Sequence, residues 1–337
     1  MRARWISVLA LATATAMGVS GCGAGSSDTA ANSVSVVGFS VLKTANQKVI
    51  EDFQATAKGK DVTFKTSYGA SGDQSRAVLA GLKADEVHLS LEPDVAKLAD
   101  GGVVSKDWKS GPTKGIITQS VVVLVVRKGN PKQIKSWADL VKPGVQVVTP
   151  NPGSSGSAKW NLLAAYGQVK ANGGSDADAT AYVTKLIDNA AALPGSASDA
   201  LTTFTGGTGD VLLSYENEAI IARQGGADID YVVPDQTLLI QNAGAVTEGA
   251  SQSAKDFLAF QLSKEGQSAY AEVGFRPLDD TVKVEVKGAN DPKNPFPAPK
   301  KLLTVDSDLG GWTKANSAFF DEANGVISKI IAGSGKA

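Results

Sequence analysis

Small and hydroxyl-bearing residues stand at four places where a strand-like run leads into a helix-like run. They are Gly38-Phe39-Ser40, Gly69-Ala70-Ser71-Gly72, Gly153-Ser154-Ser155-Gly156-Ser157 and Gly195-Ser196-Ala197-Ser198-Asp199. The first turn of a helix has backbone N–H groups without an intrahelical partner, and its dipole favours an anion. Small side chains let a ligand reach the main chain, and serine adds a hydroxyl donor. These residues predict either simple helix caps or, if the four places converge, a dianion site without lysine or arginine.

The sequence around these places departs from the motifs of nucleotide-binding proteins and serine hydrolases. Counted from Gly153, a Walker A loop requires glycine, lysine and Ser/Thr where the chain has Ala158-Lys159-Trp160. A nucleophile elbow requires glycine where the chain has Ser157 or Asp73. The one histidine, His88, lies in a strand-like run, so a His-rich metal site and a serine triad both lack support. We expect no cofactor, no metal and no enzyme activity, and a secreted hydrolase with serine-rich loops is the enzyme alternative.

The composition is that of an ordinary globular protein. The chain has 337 residues, of which 42% are hydrophobic, and a formal net charge of −1. This length allows roughly two domains. The charge gives no basic surplus, so nucleic acid is not an expected partner. Removal of residues 1–21 takes away Arg2 and Arg4 and no acidic residue, which leaves a net charge of −3. An anion site in such a protein must depend on local dipoles.

The N-terminus has the pattern of a secretory signal. A basic start is followed by an apolar run over 5–17, which is short for a membrane span. The tetrapeptide Val19-Ser20-Gly21-Cys22 resembles a bacterial lipobox and contains the only cysteine of the chain. We predict a signal peptide over 1–21 and a lipidated tether over 22–33, which would hold the protein outside the cytoplasm at a membrane surface. An ordinary signal peptide with an incidental cysteine is the alternative.

Strand-like and helix-like segments alternate after the tether. The strand-like runs include SVSVVGF, DVTFKTSYG, EVHLSLE, VQVVTP and IDYVVP, and helix-like runs follow most of them. The continuous apolar run in SVVVLVVRKGNP is typical of a parallel strand buried on both faces. The alternation predicts an α/β protein with mostly parallel sheets.

Several long segments resemble the sulfate-binding proteins of bacterial sulfate/thiosulfate ABC transporters. They are TSYGASGDQSRAVLAGLKADEVHLSLEPDV, VVVLVVRKGNPKQIKSWADLVKPGVQVVTPNPGSSGSAKWNLLAAYG, GDVLLSYENEAI, GFRPLDD and LGGWTKA. The resemblance covers essentially all of the mature chain, in order. It implies a type II periplasmic-binding-protein fold, in which two α/β lobes are joined by a two-strand hinge with the ligand cleft between them. The expected lobes are 34–118 with 245–337, and 119–244.

The resemblance also implies a function. The protein would be a monomer that binds sulfate or thiosulfate and delivers it to the permease subunits of an ABC transporter. Another tetrahedral oxyanion, molybdate or phosphate, is the alternative ligand. A surface-attached adhesin or sensor module that reuses the fold is the alternative outside transport.

The family's ligand-binding residues map onto seven positions of this chain. They are Ser40, Ser71, Ser155, Gly156, Ser157, Ala197 and Tyr215. The resemblance implies that Ser71 donates its hydroxyl from the first lobe and that Ala197 donates a backbone N–H. The remaining donors from the second lobe would be the helix start at 155–157 and Tyr215.

Three of these positions depart from the family pattern. Ser157 stands where the family has glycine, which leaves the N–H contact intact. Tyr215 stands where the family has a tryptophan indole, and its phenol donates at a different reach. Ser40 stands where the family has an aspartate that helps to order the first loop. Ser40 would either cap the helix or donate to the ligand.

This donor set favours an anion that carries no proton. Phosphate keeps a proton near neutral pH and needs an acceptor for it, whereas sulfate does not. The nearby carboxylates considered from the sequence are Asp73 and Asp199. As first-turn helix residues, both are expected to face solvent, so sulfate should bind in preference to phosphate.

Overall fold

The computed structural model describes residues 32–336. The predicted signal peptide over 1–21, Cys22 and nearly all of the tether over 22–33 lie outside the described residues. No helix in the described part of the chain is long and apolar enough to cross a membrane.

The described residues form ten strands in a mixed sheet. The strands are β1 (Ser33–Phe39), β2 (Thr63–Gly69), β3 (Glu86–Leu89), β4 (Ile116–Arg127), β5 (Val147–Val148), β6 (Ala190–Ala192), β7 (Val211–Tyr215), β8 (Ile229–Val232), β9 (Gln236–Val246) and β10 (Lys301–Leu303). Their order is β2-β1-β3-β9-β4-β7-β5-β6, with β10 beside β9 and β8 beside β4.

Twelve α-helices are present in the same part of the chain. They are α1 (Leu42–Gln54), α2 (Ser71–Leu79), α3 (Glu92–Asp100), α4 (Gly156–Ala171), α5 (Asp176–Asp188), α6 (Ala197–Thr205), α7 (Glu216–Gln224), α8 (Gln252–Gln261), α9 (Lys264–Glu272), α10 (Val305–Leu309), α11 (Trp312–Ala315) and α12 (Val326–Ser334). A 3₁₀ turn at Trp137–Val141 and a π turn at Asn316–Phe320 complete the helical elements.

Strand β4 pairs with two groups of strands, called here the first and the second sheet, and β9 lies beside its first half. The first sheet consists of β1, β2 and β3 with β9 and the first half of β4. The second sheet consists of β5 to β8 with the second half of β4. Along β4, pairing changes from β9 to β7 between Val121 and Val122. The predicted lobe bounds, 34–118 with 245–337 and 119–244, pass through the same two strands and stay a prediction.

The C-terminal residues pack on the second sheet's side. The strand β10 pairs with the start of β9, and α12 packs against α5. The ammonium group of Lys336 donates to the carbonyl oxygens of Ile187 and Asp188 at 2.9 and 2.6 Å. The segment 301–336 therefore returns to the half of the molecule that contains α4 and α5.

The prediction that the apolar run in β4 is a parallel strand is wrong. β4 pairs antiparallel with β7, β8 and β9. Its valines at 121, 122, 123, 125 and 126 are all buried. The apolar run reflects burial on both faces of a central strand, and such burial occurs in antiparallel pairing as well as in parallel pairing.

The strand β9 was not predicted from the sequence. Its polar residues Gln236, Gln241 and Asn242 interrupt the apolar pattern of a buried strand. Asn242 is nevertheless buried, and its side chain is hydrogen-bonded on both sides. Because buried polar residues interrupt its apolar run, this strand cannot be recognised from hydrophobicity alone.

Parallel strands bring the helix starts to common edges of the sheets. β1, β2 and β3 run parallel and lead into α1, α2 and α3. β5, β6 and β7 also run parallel and lead into α4, α6 and α7. Ligands of open α/β sheets bind beyond the carboxyl ends of the strands. This edge is where the residues of the predicted site lie.

Candidate anion-binding site

The N-termini of α1, α2, α4 and α6 converge on one small cavity of about 10 Å³. Its lining residues are Phe39, Ser40, Val41, Ala70, Ser71, Ser90, Ser155, Gly156, Ser157 and Ala197. Pockets for drug-sized ligands are roughly 300 to 1,000 Å³, so this cavity suits a smaller ligand. The structure therefore brings together the four strand-to-helix junctions that the sequence singled out.

Three of the four helix starts have no side-chain cap among residues 32–336. The residues preceding the first turns of α1, α2 and α4 are Val41, Ala70 and Ser155, and none of them makes a side-chain cap hydrogen bond. At α6, the Ser196 hydroxyl accepts from the backbone N–H of Asp199. Simple capping therefore explains the serine before α6. At α1, α2 and α4 no side chain caps the first turn, although the N–H groups of Lys43 and Gly72 donate to the carbonyls of Ser40 and Ser154.

Ser157 has the clearest ligand-binding character of the predicted residues. Its side chain is buried, and its hydroxyl has no hydrogen-bond partner within the described part of the chain. A buried hydroxyl without a partner costs roughly 1 to 3 kcal/mol. Ser157 lines the cavity in the first turn of α4, so a bound anion would satisfy it.

The hydroxyl of Ser71 is committed within the protein. It donates to Oδ2 of Asp94 at 2.8 Å and accepts from the backbone N–H of Ser90 at 3.0 Å. The resemblance implied that this hydroxyl donates to the ligand. In the structure, the free donor that Ser71 brings to the cavity is its backbone N–H at the first position of α2.

Tyr215 is the one predicted site residue that does not line the cavity. Its phenol oxygen lies 2.7 Å from Oγ of Ser90 and 3.4 Å from Nδ2 of Asn242. Burial raises the pKa of the Tyr215 phenol well above its usual range, so the hydroxyl stays protonated. Tyr215 is therefore placed one residue behind the cavity, in contact with Ser90.

Ser40 and Ala197 lie at the starts of their helices as expected. Ser40 is half-buried in the cavity lining, and its carbonyl oxygen accepts from the N–H of Lys43 at 3.2 Å. Ala197 is buried as the first residue of α6, where its N–H has no intrahelical partner. Both residues line the cavity.

The two aspartates considered from the sequence are engaged in local contacts. Asp73, whose side chain is 55% exposed, pairs with Arg76. Asp199 accepts a hydrogen bond from the Ser196 hydroxyl at 2.7 Å. The carboxylate that contacts a lining side chain is instead that of Asp94, which is buried, accepts from Ser71 and has the ammonium group of Lys97 at 3.5 Å.

The cavity itself is uncharged. Within residues 32–336, its lining consists of apolar residues, glycine and serine. The same residues contain no group of three or more His, Cys, Asp and Glu that could hold a metal ion. Positive potential in the cavity therefore comes from the helix N-termini and their N–H groups.

Residues from the two sheets touch across the cavity. The N–H of Gly72 donates to the carbonyl of Ser154 at 3.3 Å, and the indole of Trp160 donates to the carbonyl of Ser90 at 3.0 Å. A Cβ added at Gly156 would lie 2.5 Å from Oγ of Ser90, so only glycine fits there without a shift. The cleft is closed in this structure.

Residues 34–276 match the family model of bacterial extracellular solute-binding proteins. The chain is also 39% identical to a sulfate-binding protein of Synechococcus elongatus, over 98% of each sequence. The chain belongs to the family of sulfate- and thiosulfate-binding proteins.

Other members of the family extend the similarity. A thiosulfate-binding protein of Pseudomonas aeruginosa is 35% identical over 82% of this chain and 84% of its own length. The solved structure of the sulfate-binding protein SubI from Mycobacterium tuberculosis H37Rv superposes with a TM-score of 0.80. It is 43% identical, and the match covers 86% of this chain and all of that one. The type II periplasmic-binding-protein fold expected from the sequence is confirmed.

Three residues that contribute to the site were not found from the sequence. Ser90 lines the cavity, Asp94 holds Ser71, and Asn242 contacts both Ser90 and Tyr215. The position of Ser90 directly after a strand that leads into a helix could have indicated it. The roles of Asp94 and Asn242 depend on contacts between residues far apart in the chain, for which the sequence carries no local signal.

Proposed function

We propose that this protein binds one sulfate dianion in the cavity and delivers it to the permease of an ABC transporter. The observation that carries the proposal is the convergence of four helix N-termini on an uncharged, closed cavity. Such N-termini bind sulfate and phosphate without further cations. The names of the relatives, sulfate-binding and thiosulfate-binding protein, support this ligand class.

The proposed donors are mostly backbone N–H groups. Ser71, Gly156 and Ala197 donate through their main chain, and Ser157 donates through its N–H and its unpartnered hydroxyl. Ser40 and Ser155 complete the wall at the remaining sides of the cavity. Two lobes contribute to this set, so the bound anion stabilises the closed arrangement.

Sulfate fits this set better than phosphate because of its proton content. The lining offers donors, and Asp94 reaches the cavity only through the hydroxyl of Ser71. The proton of a bound phosphate needs an acceptor. Either a serine hydroxyl turns to accept it and is lost as a donor, or the proton stays unpaired, which costs roughly 1 to 3 kcal/mol. We expect phosphate to bind at least about tenfold more weakly than sulfate. Thiosulfate carries no such proton and is the second ligand of the proposal.

The proposal is one of binding without chemistry. A serine nucleophile needs a base, and the ring of His88 is hydrogen-bonded to Thr118 instead, with Nε2 and Oγ1 3.1 Å apart. Burial lowers the pKa of His88 to about 3. Hydrolysis of esters is the alternative, and turnover of a generic ester by the purified protein would support it.

We propose that the mature protein is a monomer, anchored by a lipid on Cys22 and tethered through residues 22–33 outside the cytoplasm. The lipobox pattern Val19-Ser20-Gly21-Cys22 supports the anchor. We also propose a division into lobes that differs from the sequence-based bounds in the C-terminal segment. Residues 301–336 move with the lobe of α4 and α5, on which they pack.

Isothermal titration of the mature protein, freed of carried-over ligand, tests the function. Sulfate should bind one to one, and a hundredfold excess over Kd should stabilise the fold by about 2.7 kcal/mol. Thiosulfate, phosphate and molybdate are titrated in parallel at several pH values between 5 and 8. A flat sulfate affinity across this range is expected because sulfate carries no proton there. No heat and no change in melting temperature with millimolar sulfate would refute the proposal, and tighter binding of molybdate or phosphate would reassign the ligand.

A further inference from the structure

Each polar group of Ser90, which lies where the two sheets meet, makes a hydrogen bond within the protein. Its N–H donates to Oγ of Ser71 at 3.0 Å, and its carbonyl accepts from Trp160 and Asn242, each at 3.0 Å. Its hydroxyl oxygen lies 2.7 Å from the phenol oxygen of Tyr215. Ser90 lines the cavity, so this fixed hydroxyl belongs to the surface that the anion meets.

The side-chain amide of Asn242 has one possible orientation. A carbonyl only accepts, so the group that faces the carbonyl of Ser90 must be the amide nitrogen, Nδ2. The opposite atom, Oδ1, accepts from the hydroxyl of Thr118 at 3.2 Å. The second proton of Nδ2 is then directed at the phenol oxygen of Tyr215, 3.4 Å away.

This orientation fixes the direction of the next hydrogen bonds. Among the described residues, the phenol of Tyr215 contacts Nδ2 of Asn242, which cannot accept, and Oγ of Ser90, so its proton is donated to Oγ of Ser90. Ser90 then accepts from Tyr215, and its hydroxyl proton is free to turn into the cavity. Hydrogen bonds in such chains strengthen one another, so the outermost donor is a better one than an isolated serine.

The inner end of the chain is consistent with the same direction. Thr118 donates to Asn242, so its oxygen accepts from Nε2 of His88, which therefore carries the ring proton. The unprotonated Nδ1 of His88 has no hydrogen-bond partner among residues 32–336. Every group from His88 to Ser90 thus donates toward the cavity.

We infer that the Ser90 hydroxyl is a direct donor to the bound anion, and that Tyr215 and Asn242 are positioning residues that orient its proton. The inference rests on the proposed function and specifies one donor of that site. Because Ser90 follows β3 of the first sheet and Tyr215 ends β7 of the second, the chain is complete only in the closed arrangement. Tyr215 acts through Ser90 and does not itself contact the anion.

A double-mutant cycle with sulfate titration distinguishes this arrangement from direct contact by Tyr215. Ser90→Ala removes the donor and should weaken sulfate binding about tenfold or more. Tyr215→Phe removes only the orienting hydroxyl and should weaken binding less. The double variant Ser90→Ala/Tyr215→Phe should bind no more weakly than Ser90→Ala alone, because Tyr215 has nothing left to orient.

Tyr270→Phe is the matched control. Tyr270 is also fully buried, and its hydroxyl donates to Oδ1 of Asn46 at 3.0 Å, away from the cavity lining. The Tyr270→Phe variant should bind sulfate with unchanged affinity. The melting temperature of each sulfate-free variant separates a loss of stability from a loss of binding.

Four outcomes would be decisive. Unchanged affinity in Ser90→Ala would overturn the inference, and so would multiplied losses in the double variant, which would place Tyr215 on the anion. If the unmodified protein itself fails to bind sulfate, the proposed function fails first, and the cycle is repeated with the anion that does bind. A tenfold loss in Ser90→Ala with no further loss in the double variant would support the inference.

Discussion

The hydroxyl of Ser71 donates to Oδ2 of Asp94 across 2.8 Å, and both side chains are buried. Ser71→Ala would leave a buried carboxylate oxygen and the N–H of Ser90 without this partner. We expect the free energy of unfolding of the sulfate-free protein to fall by about 1 to 3 kcal/mol. Urea denaturation measures this change. Unchanged stability combined with a large loss of sulfate affinity would show instead that this hydroxyl serves the ligand.

Ser157 should show the opposite behaviour. Its buried hydroxyl has no partner within the described residues, so Ser157→Ala removes no hydrogen bond from the sulfate-free protein. We expect stability to be maintained or to rise. Sulfate affinity should fall by about 1.5 to 3 kcal/mol, roughly 10- to 150-fold in Kd, because a bond to a charged ligand is lost. Titration calorimetry and denaturation of the same variant provide both values, and full affinity would remove this hydroxyl from the site.

Gly156→Ala should prevent closure of the cleft. The added Cβ would lie 2.5 Å from Oγ of Ser90 and 2.9 Å from Cγ of Leu91, both on the facing loop. Small-angle scattering should show that sulfate contracts the unmodified protein and does not contract this variant. Gly195→Ala is the control, because no atom of residues 32–336 lies within 4 Å of a Cβ at that position. Contraction of Gly156→Ala to the same radius would mean that the loops adjust without cost.

Two buried carboxyl groups should make the protein less stable as pH rises from 6.5 to 8. Burial raises the pKa of Glu86 to about 8 and that of Glu218 to about 7. In the unfolded chain both titrate near 4.5. The folded state therefore binds more protons than the unfolded state in this window, and stability falls with pH by up to about 1.4 kcal/mol per pH unit for each group.

His88 sets the lower limit of this pH range. Burial lowers the pKa of His88 to about 3, so its contribution to stability grows as pH rises toward 6.5 and opposes the two glutamates there. Chemical denaturation at pH 6.5, 7.25 and 8 measures the slope. Glu86→Gln should make the slope shallower, whereas Glu248→Gln, at an exposed position, is the matched control. A slope that is identical in Glu86→Gln would contradict the prediction.

Cys22 should attach the protein to the membrane. Cys22→Ser removes the thiol that the lipobox pattern offers for lipidation and leaves the folded residues 32–336 unchanged. We expect the variant to be released or to accumulate as unprocessed precursor. Fractionation with detection of the mature protein tests this. Membrane retention of a correctly cleaved Cys22→Ser variant would reject lipidation at this position.

Local patterns in the sequence predict much of the fold because the strands and helices have their own hydrophobic periodicity. The run SVSVVGF, for example, is β1 at its predicted bounds. The sequence failed where burial and pairing are separate properties, as in β4, and where buried polar side chains replace apolar ones, as at Asn242 in β9.

For the site, the sequence predicts which helix starts present main chain, because glycine and serine at these positions are visible without a structure. It does not reveal which hydroxyls are already used. Ser71 and Ser157 are indistinguishable in the sequence. In the structure, the hydroxyl of Ser71 is hydrogen-bonded to Asp94, whereas the hydroxyl of Ser157 has no partner among the described residues. That distinction arises from contacts over long sequence distances.

The uncharged lining affects which substitutions can abolish binding during evolution. Donors that belong to the peptide backbone persist through nearly any substitution, so drift of the side chains around the cavity has few ways to abolish binding by deleting a donor. The vulnerable positions are the two hydroxyl donors, Ser90 and Ser157, and those where an added atom blocks access, such as Gly156. Affinity in a lineage of such proteins should therefore be lost through gains in side-chain volume more readily than through changes in charge.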